Sequence, residues 1–67
     1  MDKAQALQAI GALQQQVGNL DPGFLNKHTT NLLSACTMSD GEWNSQIAAL
    51  YIQSLQEDVR VLLRDAA

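Results

Sequence analysis

In the first segment apolar residues recur at Ala6, Ile10, Leu13, Val17 and Leu20, the alternating three- and four-residue steps that keep one stripe of an α-helix apolar. Gln5, Gln8, Gln15 and Asn19 fall on the opposite side. Asp2 and Gln5 have the spacing of a capping box, which predicts a helix opening at Asp2. Gly11 either weakens this helix by about 1 kcal/mol relative to alanine or marks a close backbone approach. Gly18 marks fraying near its end.

A second boundary lies at Asp21-Pro22. Asp21 is placed to cap, Pro22 occupies the favoured first helical position, and Leu20 and Leu25 have the spacing of a hydrophobic staple. The segment from Pro22 to Thr37 then sets Phe24, Leu25, His28, Leu32, Ala35 and Cys36 on one face. Asn26, Thr29, Thr30, Asn31 and Thr37 are mediocre helix formers, so this middle helix depends on tertiary packing.

A third start is predicted at Ser39-Asp40-Gly41-Glu42, a capping-box pattern with Met38 and Trp43 at the staple positions. The helix is expected to run to about Arg64, with Arg60 and Arg64 complementing the dipole at its end and Glu57 pairing with Arg60. At 100° per residue, Leu50, Val61, Trp43, Ile47, Tyr51, Leu62, Leu55, Ala48, Val59, Ile52 and Leu63 share an arc of roughly 220°, against the roughly 100° stripe a surface helix needs. Nothing reads as a strand or hairpin. The expected architecture is a single all-α domain over residues 1–67, a small three-helix bundle or helical hairpin with a short middle helix, completed by oligomerisation. The competing expectation is a closed monomer with the third helix at its centre. In it Ile52, Val59 and Leu63 pack on the first helix and Trp43, Ile47 and Leu50 on the second.

Length sharpens the question of what covers that arc. A 67-residue chain sits near the lower limit for a self-sufficient core, where disulfides, metals or oligomerisation usually add stability. Cys36 and His28 are the sole cysteine and histidine, which excludes an intramolecular disulfide and an ordinary four-ligand Cys/His zinc site. Oligomerisation or binding is the remaining option. With a net charge of −3, a pI near 4.6 and only Lys3, Lys27, Arg60 and Arg64 as strong bases, neither nucleic acid nor an anionic membrane surface is an expected partner. No apolar run approaches the roughly 20 residues of a membrane span. Met1 to Gln5 lacks the charged and apolar regions of a signal peptide. A lone cysteine suits a reducing compartment, so a cytoplasmic location is expected.

Candidate chemistry is sparse. His28 and Cys36 lie two helical turns apart, roughly 12 Å, too far for a nucleophilic pair within one chain. They read as a boundary or satisfied histidine and a buried structural cysteine. Asp2, Asp21 and Asp40 stand at helix starts, and the adjacent Glu57 and Asp58 point to different sides. Asp58 falls inside the apolar arc between Ile47 and Tyr51, with Ser54 and Asp65 in the same sector. It either faces water at the boundary or takes a donor from Tyr51, His28 or a partner chain. Trp43 is assigned to the core. The glutamines Gln5, Gln8, Gln14, Gln15 and Gln16 form either a solvated face or an uncharged contact surface.

No catalytic residue, cofactor or metal is expected. The leading expectation is a small acidic, non-catalytic regulator that works as an inhibitor, adaptor or assembly co-chaperone. It would bind a protein partner, or itself as a homodimer, through Tyr51, Ile52, Leu55, Asp58, Val59, Leu62 and Leu63 on the C-terminal helix. The alternative is a helical oligomer that binds a small ligand in an inter-chain pocket with His28, Tyr51 and Asp58 as its polar groups. A helix-turn-helix is disfavoured because Glu42, Trp43, Asn44, Ser45 and Gln46 give the last helix no basic start.

Overall fold

The computed structural model describes residues 1–38 and 40–66. Helix α1 (Lys3–Val17) is followed by a 3-10 turn (Gly18–Leu20), α2 (Phe24–Cys36) and α3 (Ser45–Ala66). All three helices pack on one another, with the most extensive contact between α1 and α3. The fold is all-α. Its path is up-down-up: α1 and α3 start at one end, where the Met1 amine lies 3.4 Å from the Ser45 carbonyl, and α2 starts at the other.

Helix α1 forms as its periodicity predicts. The Asp2 carboxylate accepts from the Gln5 N–H, and the Gln5 side chain accepts from the Asp2 N–H, so both halves of the capping box are present. Ala6, Ile10, Leu13 and Val17 are buried. Leu20 is not, because the helix ends first: Gly18 takes a φ of 51° and its N–H returns to the Gln14 carbonyl. A Cβ added at Gly11 would meet nothing within 4 Å, so that glycine accommodates no close neighbour and only costs helix propensity.

The expected start of α2 needs correction. Pro22 and Gly23 form a turn, and the helix begins at Phe24, whose N–H bonds to the Asp21 carbonyl at 3.1 Å. The turn displaces Asp21 from the capping position, and its carboxylate instead reaches Lys27 Nζ at 3.6 Å. The open N–H of Leu25 is taken by a residue of another helix, Gln14 of α1, whose Oε1 lies 2.7 Å away. Leu20 and Leu25 both remain exposed.

The start of α3 moves further. Ser39, the expected cap, lies outside the described residues. Glu42 and Trp43 belong to the link: Met38 N–H bonds to the Glu42 carbonyl, and Thr37 and Trp43 form a single antiparallel bridge closed through Gly41 at φ 77°. Backbone held in that bridge cannot also wind into a helix. Asn44 takes over as cap, its side-chain oxygen accepting the Ile47 N–H at 3.0 Å while its own N–H bonds to the Cys36 carbonyl at 2.8 Å. Trp43 is half-buried against the core and donates from Nε1 to the Met1 carbonyl at 2.8 Å, so it ties the start of α1 to the start of α3.

The core joins the four α1 residues to Phe24, Leu32 and Cys36 of α2 and Ala48, Ile52, Leu55 and Val59 of α3. Burial pushes the Cys36 thiol above its ordinary pKa, which disfavours the reactive thiolate. Among the described residues, no helix is long and apolar enough to cross a membrane.

Candidate functional site

The structure divides the wide apolar arc of α3 into two sectors. Ala48, Ile52, Leu55 and Val59 are buried and account for the stripe facing the bundle. Ile52, Leu55 and Val59, expected at a partner surface, are therefore core residues of the chain itself, because α1 and α2 already occupy that side. Leu63 and Tyr51 are half-buried against the core.

On one flank of the buried stripe the apolar character continues. Ile47 is 42% exposed, Leu50 65% and Leu62 38%, with Val61 half-buried and Ser54 and Asp58 exposed between them. At 100° per residue these positions and Tyr51 span roughly 120°. The expectation that Ile47 and Leu50 would pack on α2 in a closed bundle fails for this reason: they turn past α2 into solvent. The other flank is unlike it. Ala49, Gln53, Gln56 and Arg60 are exposed there, and Arg60 pairs with Glu57 at 2.6 Å.

The exposed apolar sector borders a cleft between α2 and α3, which brings together the three polar residues expected around a ligand. His28 sits one turn from both Phe24 and Leu32 on α2, so the helix that buries those two holds its ring at the edge of the core. The Phe24 and His28 ring centroids are 4.4 Å apart. From α3, Tyr51 brings its hydroxyl to 3.1 Å from His28 Nδ1. A neutral imidazole with its proton on Nε2 accepts the Tyr51 O–H there. Burial lowers the His28 pKa, as does the neighbouring Lys27 charge, while Asp21 and Asp58 oppose the shift. Burial also pushes the Tyr51 hydroxyl up, and the Asn31 side chain beside it pulls the other way.

Asp58 lines the same cleft but is exposed, and among the described residues it has no hydrogen bond or ion pair. The sequence thus grouped His28, Tyr51 and Asp58 on one surface, and the Tyr51 hydroxyl goes to His28 rather than to the carboxylate. The hollow that all three line, with Ser54 and Leu55, encloses only about 110 Å³, and the adjoining one of about 240 Å³ between Phe24, His28, Leu55, Asp58, Val59 and Leu62, with Asp21 and Lys27 at the rim, does not include Tyr51. Ligand pockets usually begin near 300 Å³. The rim mixes both signs of charge, and so selects no one ligand chemistry.

Sequence reasoning missed Gln14. Among the glutamines of α1 it is the one whose side chain caps α2, and it also lies 3.4 Å from the Gly18 carbonyl. A glutamine eleven positions before the N–H it satisfies leaves no local signature. No family model, curated protein or solved structure matches this chain.

Proposed function

We propose that the chain is a small non-catalytic interaction module that binds protein through the outer sector of α3. The observation that carries this reading is the exposure of Leu50, 65% accessible in the second turn of the helix, with Ile47 one turn before it at 42%. Apolar side chains exposed singly are ordinary on a protein surface. Here they extend one buried stripe into a second, adjoining one, wide enough to receive another helix. Helix-in-groove packing would draw its affinity from these aliphatic anchors, with Tyr51 and Leu62 at the edge of the α2–α3 cleft. Inhibitor, adaptor and assembly co-chaperone are all roles that such a face serves.

The ligand-binding alternative has the His28–Tyr51 hydrogen bond in its favour and the small, open cleft against it. A photoreactive residue installed at position 50 tests the interaction reading against the same residue at position 56, exposed on the other side of the helix. Protein adducts from position 50, with few from position 56, are the expected result. Equal yields from both positions, or none from either, would remove the reading.

A further inference from the structure

His28 and Tyr51 join α2 to α3 through a hydrogen bond whose direction depends on one proton. The neutral ring accepts the Tyr51 O–H at Nδ1, 3.1 Å away. An imidazolium offers no lone pair there, because both of its nitrogens donate. We propose that protonation of His28 reverses this hydrogen bond rather than breaking it, and turns the Tyr51 hydroxyl proton toward the Asp58 carboxylate. The three side chains then work as an acid-operated relay between the two helices. The relay is internal to the chain and needs no partner on the outer sector of α3.

Reversal releases the hydroxyl proton from Nδ1, and the surroundings decide which acceptor receives it. Asp58 and Ser54 share with His28 and Tyr51 a hollow of about 110 Å³. A polar hollow of that size admits water, which extends the reach of the hydroxyl to the carboxylate. Asp58 lies two turns beyond Tyr51 on the same face of α3, and among the described residues it has no hydrogen bond or ion pair. The Asn31 side chain is the other polar neighbour of the hydroxyl, but an ionised carboxylate is the stronger acceptor. The remaining charges around the ring are already committed. Lys27, which opposes a charged ring, pairs at 3.6 Å with Asp21, which favours one as Asp58 does. Glu57 and Arg60 pair on the other flank of α3, burial holds the Cys36 thiol neutral, and α1 carries Lys3 alone, in its first turn.

An NMR titration of the imidazole nitrogens tests the relay. His28 is the sole histidine, so its signals identify themselves throughout a pH series. Tyr51→Phe keeps the ring that packs on the core, and Asp58 is exposed, so single and double variants should all fold. The neutral ring is expected to carry its proton on Nε2. Asp58→Asn should weaken proton binding at His28 by about twofold or more. The same change in a Tyr51→Phe background should weaken it distinctly less, because phenylalanine has no hydroxyl to join ring and carboxylate. Equal losses in the two backgrounds would show that Asp58 acts on the ring through space alone, and would overturn the relay. No loss in either background would overturn it too, as would a neutral ring protonated on Nδ1.

Discussion

The two sectors of α3 are built from similar residues and meet opposite fates. Ile52 and Leu55 face α1 and α2 and are buried, whereas Ile47 and Leu50, less than two turns away, are exposed. Hydrophobicity cannot account for the difference, since isoleucine and leucine stand on both sides. What separates them is which part of the helix surface two short neighbours can cover. Helices of 15 and 13 residues cover one stripe of a 22-residue partner, and the adjoining sector is left over. The inner sector therefore reports on folding, and the outer one, on the function proposed above, on association.

Substitutions should separate the two roles cleanly. The largest effect belongs to the inner sector: Ile52→Ala, at a fully buried position, should cost about 2–5 kcal/mol. In a domain whose single core supplies about 3–5 kcal/mol, that approaches global unfolding, read as a collapsed denaturation midpoint. Next come the caps that set where the helices begin. Gln14→Ala and Asn44→Ala should each cost about 1 kcal/mol, and Gln14→Ala should loosen amide exchange at the start of α2 before it affects α3. Gly11→Ala should act in the opposite direction, raising stability by up to about 1 kcal/mol, because the added methyl meets open space.

Smaller still is the pH effect of His28. Its pKa lies below the ordinary 6.5, so the unfolded chain takes up the proton more readily than the folded one. The contribution to stability is complete above pH 6.5, declines as the pH falls from there through the folded-state value, and is level below it. Denaturation midpoints on either side of that window should differ in the wild type and lose the difference in His28→Asn. Leu50→Glu closes the series, with a change in the stability of the dilute monomer within about 0.5 kcal/mol. A large loss there would mean that the outer sector supports the fold of the single chain, and the distinction between the two sectors would collapse.

The sequence revealed most where structure is local. The capping box of α1 lies within four consecutive residues, and of the five side chains its apolar steps name all but Leu20 are buried. The start of α3 was obscured because two capping patterns compete within a few residues. Ser39 to Glu42 has the fuller signature, yet Asn44 holds the helix start because a long-range bond to Cys36 and the Thr37–Trp43 bridge fix the link. Periodicity also gave the full width of the α3 arc without saying which part would be covered. That depends on the lengths and crossing of α1 and α2, which no window on α3 contains. Of the candidate site, the closeness of His28, Tyr51 and Asp58 was legible from their helical faces. The preference of the Tyr51 hydroxyl for the imidazole was not, since it rests on how α2 sits against α3.

Side-chain oxidation footprinting compares the sectors most directly. Leu20 of the 3-10 turn and Leu25 at the start of α2 are exposed apolar residues outside α3 and serve as internal references. The account predicts that Leu50 oxidises as readily as they do in the dilute protein, while Ile52 and Leu55 are protected. Protection of Leu50 equal to that of Ile52 would show that the single chain covers the outer sector as well, and would contradict the account.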